Sequence, residues 1–259
     1  MHGSGQGVRI PGGFLPGRSP VIIKFAPGPP PEGGQIHPAK MGGIDLRNSS
    51  GDGPEAPVAV NGAFCVWLMG LSASGKTTLA QLLAQALAQR GYKVEVLDGD
   101  IVRTTLSKGL GFTAGDRVTN LRRIAAMAQN LVDQQVVTIV AAICPYHAIR
   151  AEVRATISNY IEVYLNCPLE VCIRRDPKGL YRQALAGEIK HFTGIDDVFE
   201  TPERPHIEVT THGEPPEASL AHILRKLAAL RHIPPDPAAS PEPARDVPAP
   251  SWPSRELAR

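Results

Sequence analysis

What is missing from this sequence narrows its function before any motif is considered. No apolar run approaches the ~18 residues that cross a bilayer, so no membrane-spanning segment is expected. The N-terminus has no apolar signal core. Cysteine is scarce: Cys65, Cys144, Cys167 and Cys172 are the full set. None forms a C-x-x-C pair, and no Cys/His spacing matches a zinc site. Three of the four lie in strand-like apolar stretches or at their ends, which predicts buried free thiols in a reducing, cytoplasmic setting. Net charge is small as well: 27 Lys+Arg against 25 Asp+Glu give +2 over 259 residues. That balance is too weak and too scattered to predict a nucleic-acid partner. Arg9, Arg18 and Lys24 precede the first acid, Glu32, so an organelle transit peptide is the alternative to a cytoplasmic address.

Glycine and proline, by contrast, are plentiful and unevenly placed. Residues 1–57 are rich in both, with GPPPEGG at their centre, and residues 234–259 are Pro-rich. Neither end can bury enough apolar area to offset its ordering entropy, so both are expected to be disordered. Within the first, Pro20–Phe25 reads either as a strand or docking segment or as an apolar spot in a tail. The middle, 58–233, is long enough for one core. It contains no internal repeat.

In that middle, strand-like and helix-like segments alternate. Strands are expected at 64–69, 92–97, 136–143, 160–166 and 206–210, and helices at 76–90, 117–134, 147–158, 168–175 and 217–231. The stretch 176–204 reads as less regular. Repeated βα units predict an α/β fold of the P-loop NTPase type, a parallel sheet with helices on both faces. Ligands of such sheets bind outside the carboxyl ends of the strands.

One motif sits where that rule places a ligand. Gly70-Leu71-Ser72-Ala73-Ser74-Gly75-Lys76-Thr77 fits G-x-x-x-x-G-K-[ST], with Thr78 next in line. It follows an apolar strand and opens an amphipathic helix, the context in which backbone N–H groups cradle phosphate. Lys76 can then reach the β/γ-phosphates of ATP, and the Thr77 hydroxyl can ligate Mg²⁺.

Further absences sort among P-loop proteins. There is no N-K-x-D guanine-reading motif, and the strand at 136–143 does not end in an acid, as a motor ATPase's does. The acids follow the second strand instead, as Asp98-Gly99-Asp100. A carboxylate there could orient an acceptor hydroxyl and take its proton, as a small-molecule kinase requires. D-G-D is equally common as turn punctuation, and spacing alone leaves both readings open.

Five blocks, taken in order, resemble one family, the adenylyl-sulfate kinases. They are GLSASGKTT; LDGDIVR, similar to D-G-D-x-x-R; LSKGLGFTAGDRVTNLRRIA; CPYHAIRAEVR, similar to S-P-Y-R-x-x-R; and DPKGLYRQALAGEIKHFTGIDDVFETPERP. The resemblance covers about 64–231. It implies transfer of the ATP γ-phosphoryl to the ribose 3′-hydroxyl of adenosine 5′-phosphosulfate. It implies Asp100 as the acceptor-side base and Asp98 beside the metal and its waters. Arg103, Arg117 and Asn120 would hold the phosphosulfate and ribose side, a task suited to guanidinium forks. Phe112 and Phe192 would stack on the adenine, Ile143 and Cys144 would line the substrate site, and Lys178, Gly179 and Leu180 would belong to a lid. It also implies a homodimer, supplied with adenylyl sulfate by a separate ATP sulfurylase.

Taken singly, the two phenylalanines could be core aromatics, the arginines a solvated helix face, and Lys178-Gly179 a simple turn. The sequence also departs from the family pattern. Cys144 replaces a serine, which excludes a phosphoserine at that position and leaves two readings, a packed thiol or a low-pKa nucleophile. His147 replaces an arginine, Val118-Thr119 replace more polar or acidic residues, and Phe199-Glu200 replace Tyr-Glu. Two rival functions therefore stay open: a kinase of the same fold acting on a different small-molecule hydroxyl, and a nucleotide-binding module whose tails recruit partners.

Overall fold

The computed structural model describes residues 62–105 and 107–235. The segment Pro20–Phe25, the Gly/Pro-rich N-terminal extension and the tail past 235 lie outside the described residues. The elements run β1 (Cys65–Met69), α1 (Lys76–Gln89), β2 (Val94–Asp98), α2 (Gly99–Thr104), α3 (Ala114–Asp133), β3 (Val137–Ala141), α4 (His147–Thr156), β4 (Tyr160–Asn166), α5 (Leu169–Arg175), α6 (Leu180–Leu185), β5 (Ile207–Thr210) and α7 (Pro216–Ala229). All strand pairs are parallel, in the order β2-β3-β1-β4-β5.

Strand β1 lies at the centre because every one of its side chains is apolar and buried. Alternation along it divides the core. Val66 and Leu68 join Leu79, Leu83 and Leu87 of α1 and Ile223 and Leu227 of α7 on one face. Cys65, Trp67 and Met69 join Leu121, Ile124 and Ala128 of α3 and Ile149 and Val153 of α4 on the other. The expected parallel sheet with helices on both faces is what forms. All four cysteines are free and buried. Among the described residues, no helix is long and apolar enough to cross a membrane.

Two helices arise where none was expected. The residues read as a D-G-D turn open α2: the Asp98 carboxylate ends β2 and accepts the Asp100 amide at 2.9 Å. Helix α6 forms within the stretch read as irregular, where the Asp176 carboxylate accepts the amides of Tyr181 and Arg182, each at 3.0 Å. Helix α3 begins three residues before the expected 117. Thr113 caps it by accepting the Asp116 amide at 3.2 Å.

Candidate active site

A cavity of about 1020 Å³ opens at the carboxyl ends of β1, β2 and β3. The loop from β1 into α1 forms its floor. Gly70 sits at φ +148, and a Cβ there would come within 2.7 Å of the Leu165 carbonyl oxygen, so only glycine fits the turn. Lys76, the first residue of α1, folds back and donates to the carbonyls of Gly70 at 3.0 Å and Leu71 at 2.6 Å. Burial pulls its ammonium down to about 8, against the opposing pull of Asp100, Cys172 and Asp98.

That depression has a measurable consequence. A polyphosphate placed beside Lys76 restores the charged form, so binding takes up a proton wherever the free protein has lost one. Calorimetry of ATP binding in buffers of different ionisation enthalpy should give close to one proton taken up at pH 9 and about 0.1 at pH 7. Uptake near zero at both values would place the ordinary lysine pKa at this site.

On the cavity's acidic side, the Thr77 hydroxyl donates to Asp98 Oδ2 at 2.9 Å. A hydroxyl and a carboxylate so paired are the hard oxygen donors that suit Mg²⁺ and its waters. Asp100, the second residue of α2, is exposed and pairs with the Lys178 ammonium across the cavity mouth. That contact holds Lys178 above its usual range.

Of the residues singled out in the sequence, the cavity wall includes Ser72 to Thr78, Asp98, Asp100, Arg103, Phe112, Arg117, Asn120, Ile143, Cys144, Lys178, Leu180 and Phe192. Gly70, Leu71 and Gly179 are not on the wall. Gly70 and Leu71 act through their carbonyls on Lys76, and the Leu71 side chain packs against the cluster of Cys167, Cys172 and Tyr181. Gly179 takes φ +68 at the entry to α6. Phe112 is 56% exposed while Phe192 is 9% exposed and packs edge-on against Tyr181, with ring centroids 5.0 Å apart. The Arg103 guanidinium lies 4.8 Å from the Phe112 ring centre. Asn120 is buried, and its Oδ1 has no hydrogen-bond partner among the described residues.

Three of the departures from the family pattern, at Cys144, His147 and Phe199, can be placed in the structure. Cys144 is 1% exposed, and burial pushes its thiol up to about 12. That removes the low-pKa nucleophile reading: at neutral pH the group is a packed, protonated thiol. Cys144→Ser should therefore leave kcat/KM equal to or above that of the unsubstituted protein, at a stability cost of about 1 kcal/mol. Complete loss of turnover would reveal a role for the sulfur. His147 is exposed and off the cavity wall, its Nδ1 3.2 Å from Arg150. Phe199 stacks on Tyr164 at 6.0 Å and lies under the Arg150 guanidinium at 5.3 Å, contacts that need no hydroxyl.

Sequence reasoning passed over Arg150 and Asp197. Arg150 is 4% exposed and donates to the carbonyls of Cys144 and Pro145, each at 2.9 Å, and of Glu200. It thereby ties the loop after β3 to the segment before β5. Asp197 accepts the Tyr146 hydroxyl at 2.7 Å and lies 3.8 Å from Arg117. The only sequence signal for Arg150 was the last position of S-P-Y-R-x-x-R.

Comparison with known proteins identifies the family. A family model described as Adenylylsulphate kinase matches residues 62–210, more than half of the chain. The adenylyl-sulfate kinase of Rippkaea orientalis (strain PCC 8801 / RF-1) is 54% identical over 168 residues, covering 65% of this chain and 93% of that protein. The probable bifunctional SAT/APS kinase 2 of Sorangium cellulosum is 53% identical over 171 residues, 66% of this chain and 29% of that one. The Mycobacterium tuberculosis APS kinase CysC, solved in complex with AMPPNP and APS, superposes with a TM-score of 0.62 at 39% identity, covering 64% of this chain and 98% of that one. The chain belongs to the adenylylsulphate kinase family.

Proposed function

We propose that this protein transfers the γ-phosphoryl of ATP to the 3′-hydroxyl of adenosine 5′-phosphosulfate, giving ADP and 3′-phosphoadenylyl sulfate. The observation that carries this reading is convergence. The P-loop, D-G-D, the 112–120 block and the 176–193 block are separated in sequence, yet all contribute to the wall of one cavity. Family membership supplies the acceptor.

In this reading the backbone amides of 71–77 and the Lys76 ammonium hold the β/γ-phosphates. The Thr77 hydroxyl would hold Mg²⁺, with Asp98 beside its waters; when bound, the ion neutralises charge on the phosphates. Asp100 aims the 3′-hydroxyl and accepts its proton. Arg103 faces the phosphosulfate, and Asn120, with its unpaired buried acceptor, suits a ribose hydroxyl donor. Phe112 and Phe192 flank the adenine, contributing on the order of 1–3 kcal/mol per stacked base. Lys178 leaves Asp100 as the 178–180 segment closes, excluding water from the transfer. Homodimer assembly and supply of adenylyl sulfate by a separate ATP sulfurylase belong to the same reading, the first open to light scattering.

The test is a coupled ADP-release assay with ATP, Mg²⁺ and adenylyl sulfate, with product identified by mass. Formation of 3′-phosphoadenylyl sulfate supports the assignment. ATP binding without that product would move the question to another acceptor hydroxyl.

A further inference from the structure

We infer that Arg150 is a positioning residue for the acceptor side of the cavity: its guanidinium holds Cys144 in a left-handed backbone conformation that the residue would otherwise leave. The inference rests on the proposed acceptor and on Ile143 and Cys144 lining its site, and extends that reading. Cys144 sits at φ +49. Two features of the local sequence oppose that angle. A Cβ is crowded against the following carbonyl in the left-handed region. A residue before proline, here Pro145, is also pushed toward extended backbone. No glycine lies between Ala142 and Tyr146 to relieve either cost. The conformation therefore needs support from outside the loop.

Arg150, at the end of the first turn of α4, supplies it. It is 4% exposed and is not on the cavity wall, so it acts on a substrate only through the loop. Nε donates to the Cys144 carbonyl and Nη2 to the Pro145 carbonyl, each at 2.9 Å. Nη2 also donates to the Glu200 carbonyl, and Nη1 lies 3.2 Å from His147 Nδ1. The far side is anchored independently. The Glu200 amide donates to the Pro145 carbonyl at 2.9 Å, and the Glu200 carboxylate accepts the His147 amide. Phe199, against the guanidinium face, is itself stacked on Tyr164. A change of φ at residue 144 re-aims the peptide before it relative to the peptide after it. By holding the carbonyls of 144 and 145, the guanidinium fixes how Ile143 and Cys144 face the cavity. A planar fork can hold these divergent carbonyls together; an ammonium cannot.

The test is a mutant cycle in the full chain: Arg150→Lys measured with residue 144 unsubstituted, with Cys144→Gly and with Cys144→Ala. With the cysteine in place, Arg150→Lys should raise KM for adenylyl sulfate about 10-fold and move KM for ATP less than about twofold, the scale for releasing one residue from a sparsely populated backbone region. Glycine takes a positive φ without the Cβ penalty, so in the Cys144→Gly background the same step should cost about twofold or less. Alanine removes the sulfur and keeps Cβ, so in the Cys144→Ala background the step should again cost about 10-fold. Equal costs in the glycine and alanine backgrounds, or a parallel rise in KM for ATP, would overturn the inference and leave the kinase assignment intact. Should Arg150→Lys fail to fold, Arg150→Gln, which discards the buried charge and keeps an amide donor, carries the same cycle. Amide exchange at Glu200 reads the strap without turnover. It should quicken in Arg150→Lys and slow again on adding Cys144→Gly but not Cys144→Ala; unchanged exchange in Arg150→Lys overturns the strap. Absence of any 3′-phosphoadenylyl sulfate from the unsubstituted protein would count against the function instead, with the exchange cycle still deciding the strap.

Discussion

Lys76→Ala should lower the rate of phosphoryl transfer at least about 10³-fold, the scale set by deleting one preorganised charge that faces the transferring group. In the structure Lys76 is held by the carbonyls of its own loop. Its ammonium donates to the Gly70 and Leu71 carbonyls and pays for that half-buried position with a pKa drawn down to about 8. Bound phosphates replace those carbonyls with full negative charge and reverse the depression. Removing the side chain also removes a poorly solvated cation, so thermal stability should hold or rise while transfer fails. Rapid-quench single turnover at saturating ATP separates the chemical step from weakened binding. Transfer within tenfold of the unsubstituted protein would remove the P-loop from the mechanism.

The parts of this molecule that were legible in its sequence are those whose cause is local. Strand β4 falls on the expected Tyr160–Asn166 because an apolar run bounded by Asn159 and Pro168 has no competing reading. The P-loop was legible for the same reason, strand, glycine turn and helix being contiguous. Helix α2 was missed because Gly99 at its start argues for a turn and D-G-D reads equally as punctuation; the Asp98 cap on the Asp100 amide is local, spanning two residues, and went unused. Helix α6 was missed because its cap, Asp176, sits outside the usual position, beyond a Gly179 in the left-handed region. The start of α3 was readable in Thr113-x-x-Asp116, a capping-box spacing that went unused. Arg150 and Arg117 are a different matter. Their acceptors lie 50 and 76 residues away, at Glu200 and Thr193, and no periodicity in the chain announces such pairings. The sheet order β2-β3-β1-β4-β5 is likewise a property of packing both faces of β1 rather than of any one segment.

Asp100→Ala should separate binding from chemistry more cleanly than any other single change, lowering kcat about 10²- to 10⁴-fold with KM for ATP within about twofold. The local structure is what makes the separation clean. The bond that caps α2 runs from the backbone amide of residue 100 to the Asp98 carboxylate, so alanine keeps it. The Thr77–Asp98 contact on the metal side is likewise untouched. What is lost is the exposed carboxylate itself and its ion pair with Lys178. With that partner gone, the Lys178 ammonium should fall back toward its ordinary pKa, a shift that lysine-selective NMR can follow. Asp100→Asn sharpens the assignment. It retains an oxygen to orient the acceptor hydroxyl but cannot take its proton at neutral pH. If Asp100 is the base, both variants lose turnover alike; if it only orients, the asparagine variant recovers much of the rate. Full turnover in both would move proton acceptance away from α2 altogether and leave Asp98 as the remaining carboxylate on that side of the cavity.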